Sequence, residues 1–323
     1  MLMSTLYLDR KDLMVKLDGH TMALYENDNK RGTVPFHLLS KIVVRGNIQL
    51  ESRLLCALSE HKVDVLFLSG RNSAHRTMAF SHTHNDVKRK LAQLAMFFDK
   101  EGMFELSRQL VIAKITKQQQ FLQRAMDKRA DLRKPLYTAL MSLEIIYNKL
   151  DALDKTNSTT AQLRGFEGSA AAQYFSAYTR LFAPSLEFNH RKRRPPTDPV
   201  NACLSLGYTL LHFEAVSACH MAGLDPLVGV YHEPAIGRES LACDLIEPLR
   251  PRLDALVWSL FRDRLLRKEH FSFEQGRCLL NKTGRKIFYA EYEIFVHPVR
   301  RLLRINGHQL ARYYLQSEWN SVL

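Results

Sequence analysis

Over the first eighty residues, apolar and polar positions alternate in short runs. Residues 5–8, 13–17, 21–25, 41–44 and 63–68 are β-branched or apolar enough to read as strands, and residues 50–60 fit a short helix. Asp18-Gly19 separates the second and third runs and supplies the turn chemistry of a tight hairpin. A polar connector, Ser81-His82-Thr83-His84-Asn85, then ends the alternation, and the hydrophobic period lengthens to about 3.6 residues. Val87, Leu91, Leu94 and Phe98 share one helical face, as do Leu106, Leu110 and Ala113, and again Leu253, Leu256, Val257 and Leu260. Residues 154–160 and 189–199 interrupt the helical pattern as polar and basic loops. The pattern predicts an α+β chain: a small β-rich N-terminal domain over residues 1–80, a linker at 81–85 and a larger all-α domain over 86–323.

Composition narrows the class. With 323 residues, 46% hydrophobic and 24% charged, the chain can bury a sizeable core, and extended disorder is excluded. The five cysteines are widely spaced and form no C-x-x-C, which argues for reduced thiols in a cytoplasmic setting. No secretory signal is visible at the start, and the most apolar uncharged stretch, residues 199–213, is too short and polar for a membrane span. Lys and Arg number 46 against 33 Asp and Glu, giving +13, which favours a polyanion such as nucleic acid. Residues 1–84 carry 11 basic and 8 acidic side chains, so +10 of the surplus falls in the helical part.

Sequence motifs for nucleotide binding, zincin chemistry and acyl transfer are absent. Three segments remain. Gly165-Phe166-Glu167-Gly168-Ser169-Ala170-Ala171-Ala172 places an acid ahead of small residues that let a helix approach another backbone, with Glu167 turned inward; its bland reading is a solvated glutamate near a helix start. Gly229-Val230-Tyr231-His232-Glu233-Pro234 ends an apolar stretch in a histidine, more often a hydrogen-bonded structural residue than a ligand. Cys243-Asp244-Leu245-Ile246-Glu247-Pro248 sets two carboxylates three positions apart, otherwise a plain pair of exposed acids. One imidazole and two or three carboxylates suit Mg²⁺ or Mn²⁺, an ion able to bridge acids to a phosphodiester they would repel. His82 and His84 lie in a connector at a spacing that gives little support for a metal pair and are left out.

These segments, in this order, resemble the CRISPR-associated spacer-acquisition integrases, the first of the two core adaptation proteins. The resemblance runs from the β-rich start through residues 109–118, 167–175, 193–201 and 204–208 to His232-Glu-Pro and Asp244-Leu-Ile-Glu247. It implies a divalent ion, Mg²⁺ or Mn²⁺, held by Glu167, His232 and Glu247, with Asp244 as a supporting acid of the catalytic set. The implied reaction is attack of a prespacer 3′-hydroxyl on a phosphodiester at the edge of a CRISPR repeat. Arg238 and Arg250 match DNA-contacting positions. The basic run Arg191, Lys192, Arg193 and Arg194 suits phosphate contact, and Tyr174 and Asn201 are expected to support the site. The resemblance also implies a homodimer through the N-terminal domain, bridged to a second core adaptation protein on double-stranded DNA, with no membrane. Two rival readings keep the fold: a non-catalytic DNA-binding scaffold, and a branched-DNA repair nuclease.

Overall fold

The computed structural model describes residues 4–10, 12–68, 76–81, 84–154, 158–192 and 195–322. The chain forms two compact units, Met1–Asn85 and Asp86–Leu323.

In the first unit, β1 (Ser4–Leu8), β2 (Leu13–Asp18), β3 (Thr21–Glu26), β4 (Asn29–Pro35), β5 (Leu39–Arg45), β6 (Ile48–Leu50), helix α1 (Ser52–Glu60), β7 (Asp64–Leu68) and β8 (Arg76–Ala79) follow one another. They make two four-stranded sheets, ordered β1-β5-β7-β8 and β4-β3-β2-β6. Inward-facing Leu13, Val15, Met22, Ile42, Val44 and Val65 close one core with Leu54 and Leu58 of α1. The five predicted strands and the helix all form. Of Asp18-Gly19 only the glycine takes a positive φ, +58°; Asp18 is the last residue of β2 and pairs with Thr21. β4 went unrecognised because its side chains are largely exposed, as an edge strand allows, so no alternation marks it. Its turn is nevertheless written in the sequence: Asn27 and Asp28 both have positive φ, the conformation of a type I′ hairpin.

The second unit holds α2 (Val87–Phe98), α3 (Lys100–Lys128), α4 (Arg133–Asp151), α5 (Thr160–Thr179), α6 (Pro199–Ala222), α7 (Ser240–Ile246), α8 (Arg250–Arg262), the hairpin β9 (Phe271–Glu274) and β10 (Arg277–Leu280), and α9 (Lys282–Val322). α6 is the central post, packed on α7, α8 and α9. Asp198 caps it with Pro199 in its first turn, and Gly223, at φ +76°, ends it. α6 is long and apolar enough to cross a membrane by length and composition, but 78% of its most apolar window is buried within the unit. The β9–β10 hairpin turns on Gln275 and Gly276, both at positive φ, and is a β element that the helical reading of this part did not contain.

α2 forms where the period predicted it, with the opposite face inward. Val87, Leu91, Leu94 and Phe98 are 45% to 78% exposed, while Ala92, Gln93 and Met96 are buried. Gln93 anchors that face by donating from its amide to the carbonyls of Asp225 (3.0 Å) and Val228 (2.9 Å) and accepting from Asp225 N–H (2.8 Å). These three bonds, with Ala92 and Met96 packed on the same side, hold the helix in this rotation.

Candidate active site

Three pieces of chain converge on an open cleft of about 510 Å³ in the helical unit, walled by α3, α5, α6, the 230–238 loop and the start of α8. α5 is set by a capping box in which Thr159 and Gln162 satisfy each other's backbone N–H groups, so the helix begins seven residues before Glu167. Glu167 therefore projects from mid-helix into the cleft, not from a dipole-favoured first turn. Of the small residues around it, Gly165 and Gly168 mark no close approach, since a Cβ there would meet nothing within 4 Å, whereas Ala170 is buried against the neighbouring helices.

The second piece is organised by one carboxylate. Asp244 on α7 is 1% exposed and accepts from the backbone N–H groups of Val230 (2.6 Å), Tyr231 (3.0 Å) and His232 (3.1 Å), and from His232 Nδ1 (2.6 Å). A carboxylate facing three backbone donors is an acceptor, so Nδ1 carries a proton, and in the neutral imidazole Nε2 then keeps the lone pair. The turn is tight enough to require Gly229, where a Cβ would stand 2.4 Å from the His232 carbonyl oxygen and 3.0 Å from Asp244 Oδ2.

The third piece is the 3₁₀ turn Glu247–Leu249, which hands α7 to α8 around Pro248. Glu247 is buried, contrary to the reading of two exposed acids. It accepts from Arg250 Nε at 2.8 Å and meets Lys114 Nζ at 2.6 Å. Burial alone would raise its carboxyl, but Arg250 and Lys114 outweigh that and hold it down at about 2. Burial likewise opposes charge on Lys114, and Glu247 and Glu167 overcome it, keeping the ammonium above the ordinary lysine value. Lys114 Nζ pairs with Glu167 as well, so one buried cation sits between the two carboxylates.

Behind this lies a phenol cluster. Tyr174 donates to Asp254 Oδ2 (2.8 Å), Tyr178 to the Asp254 carbonyl (2.9 Å) and Tyr208 to Asp254 Oδ1. Burial raises Asp254 to about 6 despite these donors. The Arg250 guanidinium stacks over the Tyr208 ring at 4.7 Å, which orients it toward Glu247.

A family model described as CRISPR associated protein Cas1 matches residues 6–294. The chain belongs to the Cas1 family. A curated relative from Thermodesulfovibrio yellowstonii, CRISPR-associated endonuclease Cas1 1, is 36% identical over 323 residues, covering 98% of each chain. Among solved structures, a Cas1 protein from Thermotoga maritima superposes with TM-score 0.81 at 24% identity, covering 97% of each chain. A casposase bound to integration product superposes with TM-score 0.83 at 22% identity, covering 98% of this chain and 91% of that one. At these identities the structures attest the fold, a strand-rich unit followed by a helical one.

Within this Cas1 fold, Glu167, His232, Glu247, Arg238, Arg250, Arg191 and Tyr174 line one cleft, and Asp244 does not. Asp244, expected in the catalytic set, instead has its carboxylate engaged by the histidine loop, accepting from three backbone N–H groups and from His232 Nδ1. Arg191 is engaged locally, donating to the Lys192 carbonyl (2.7 Å) and Asn201 Oδ1 (2.8 Å). Asn201, fully buried, also accepts from Lys192 N–H at 2.9 Å and donates to the His190 carbonyl at 2.9 Å, so it pins the basic segment to α6. Arg238 donates to the Glu233 carbonyl and, at 3.2 Å, to Ser240 Oγ. Arg193, Arg194 and His82 lie outside the described residues. Lys114, Gln118, Arg164, Tyr208 and Asp254 also line the cleft and were not singled out in the sequence. For Lys114 the available signal was a cation on the inward face of α3, seven residues after Ser107 and four before Gln118.

Among the described residues no three His, Cys, Asp or Glu side chains stand as a ready ligand cluster. The donors still fit a hard divalent ion. Two carboxylates already share a cation, Gln118 Oε1 is buried without a hydrogen-bond donor among the described residues, and the imidazole on the cleft wall is tied back through Nδ1 to Asp244. Lys114→Met is expected to destabilise the metal-free protein by about 2 kcal/mol, less than the roughly 3–5 kcal/mol of a fully buried pair because Arg250 still serves Glu247. Urea unfolding in EDTA checks this, and Mn²⁺ should restore more stability to the variant than to wild type. Since Glu247 is depressed, the contribution of its ion pairs in the metal-free protein is complete above the ordinary carboxylate range. It is lost as pH falls toward about 2.

Proposed function

We propose that this chain is a divalent-ion-dependent DNA endonuclease and integrase of CRISPR adaptation, joining prespacer 3′-hydroxyl ends to the CRISPR repeat by direct phosphodiester exchange. The observation that carries the reading is the meeting of Glu167 and Glu247 on one cation in a cleft that His232, Arg164, Arg238 and Arg250 also line. In it, Glu167, Glu247 and His232 would hold Mg²⁺ or Mn²⁺, and Asp244 would fix the imidazole. The ion, when bound, supplies Lewis-acid polarisation of the phosphoryl oxygen. Arg250, stacked on Tyr208, and Arg238, tied to the histidine loop, hold the phosphate in register. One phosphodiester is exchanged for another, so no nucleotide-binding loop is needed.

The comparisons support DNA and a second protein as partners. Relatives of the same fold include a TtCas1–DNA complex and a Cas6-RT-Cas1–Cas2 complex. The reading extends to a homodimer through the N-terminal unit, assembled with the second core adaptation protein in the cytoplasm. The test is a strand-transfer assay with a labelled prespacer and a repeat-bearing plasmid. Joined products that require Mg²⁺ or Mn²⁺ are expected. Binding without chemistry would favour the scaffold reading, and cutting of branched DNA without joining the repair-nuclease reading.

A further inference from the structure

A second groove, of about 520 Å³, opens between the C-terminal half of α3, the outer face of α8 and the middle of α9. Five cations line it, Lys117, Arg124, Lys128, Arg252 and Arg262, and no acidic side chain does. The active-site cleft is different in kind, since Glu167, Glu233, Glu247 and Asp254 offset its cations. The two share Pro251 at the start of α8, and Lys114 and Gln118 of the cleft give way along α3 to Lys117, Arg124 and Lys128 of the groove.

The cations are not equivalent. Arg262 is engaged, in a two-pronged pair with Asp263 (2.7 Å) and stacked 4.9 Å over Trp258. Lys117 donates to the neutral Gln120 Oε1 at 3.0 Å. Arg124, Lys128 and Arg252 are exposed and form no close ion pair among the described residues, although the Lys128 charge reaches Asp263, which is already paired with Arg262. Like charges gathered on a wall with one shared carboxylate at its end raise the energy of the empty groove, and a polyanion relieves it. Lys117 to Lys128 spans about 16 Å at 1.5 Å per residue. That length matches about five nucleotides of one duplex strand at 3.4 Å each. Two of the aromatic rings beneath, Phe121 and Trp258, are buried, and the third, Phe295, is half-buried and packs against Tyr292. The charged chemistry the groove offers is that of phosphate binding.

We infer that this groove is a second DNA-binding site, seating about five phosphodiesters of the strand that runs past Pro251 from the reacting phosphate, without reading its sequence. Arg124, Lys128 and Arg252 contact the phosphates, and the tethered Arg262 narrows the far end. The inference rests on DNA being the substrate, as proposed above. It names where the strand lies beyond the reacting phosphate.

The test is fluorescence anisotropy of a labelled duplex with the full chain carrying Glu167→Gln, in EDTA, from 50 to 200 mM salt. The triple variant Arg124→Gln, Lys128→Gln, Arg252→Gln is expected to bind at least about tenfold more weakly at low salt. Its log-log salt slope should be shallower by about 2.7, that is 0.9 for each of three phosphates. A control triple, Lys88→Gln, Lys90→Gln, Lys100→Gln, removes the same charge elsewhere on the helical unit and should change neither quantity appreciably. An unchanged slope in the groove variant, or an equal loss in the control, overturns the inference. Binding is read here without ion or chemistry, so this failure leaves the catalytic reading standing. An inactive wild type would leave the groove result standing.

Discussion

Glu167→Gln is expected to slow ion-dependent cleavage and joining by about 10²–10³-fold while leaving the fold intact. The substitution keeps the side chain's shape and removes one of the two charges that share the buried cation. Charge stabilisation by a bound ion contributes several kcal/mol, and each 1.36 kcal/mol is tenfold in rate, which sets that magnitude. Stability should change little, because the Glu167 side chain is 23% exposed and the Glu247–Arg250 pair remains. Single-turnover rates and urea midpoints measured on the same preparation separate the two effects. A variant that cuts and joins at the wild-type rate would remove Glu167 from the site.

Asp244 gives the second large effect, and here two substitutions part company. Asp244→Ala leaves three backbone N–H groups, that of Tyr231 buried and those of Val230 and His232 part-buried, and one imidazole N–H without an acceptor, and is expected to cost about 4 kcal/mol, since each orphaned donor costs roughly 1–3 kcal/mol with some relief from water. Asp244→Asn should fold. Its carbonyl oxygen can keep the Val230 and Tyr231 donors while its amide nitrogen, costing the His232 backbone N–H its acceptor, turns toward His232 Nδ1. That forces the proton onto Nε2 and removes the lone pair facing the cleft. Mn²⁺ affinity is then expected to fall about 10–100-fold, the usual cost of losing a ligand's outer partner. Nitrogen NMR of His232 reads the tautomer directly. An Nδ1–H tautomer persisting in Asp244→Asn would contradict this chain of causes.

Much of the fold was legible because its signals are local. The period-2 runs of the first unit became strands, and the switch of period near residue 85 is where the two units divide. What escaped was settled by partners distant in sequence. The rotation of α2 is fixed by Gln93 reaching Asp225 and Val228, a contact that no periodicity encodes. β4 is an edge strand without alternation. At the site, Glu167, His232 and Glu247 were named from resemblance, and the cleft brings all three to its wall. Their roles needed geometry: Asp244 looks in sequence like a partner of Glu247 on one helical face, yet it turns the other way to organise the histidine loop. Lys114 lies 53 positions before Glu167, and only the packing of α3 on α5 and on the 3₁₀ turn shows it standing between two acids.

Everything chemical in this account depends on one ion seat shared by Glu167, His232 and Glu247. Anomalous diffraction from crystals soaked in Mn²⁺ tests it most directly. A single strong peak is predicted within bonding distance of both carboxylates and of His232 Nε2, with Lys114 Nζ displaced from its place between the acids. A well-ordered cleft that shows no such peak at saturating Mn²⁺, or a peak held by other residues, would contradict it.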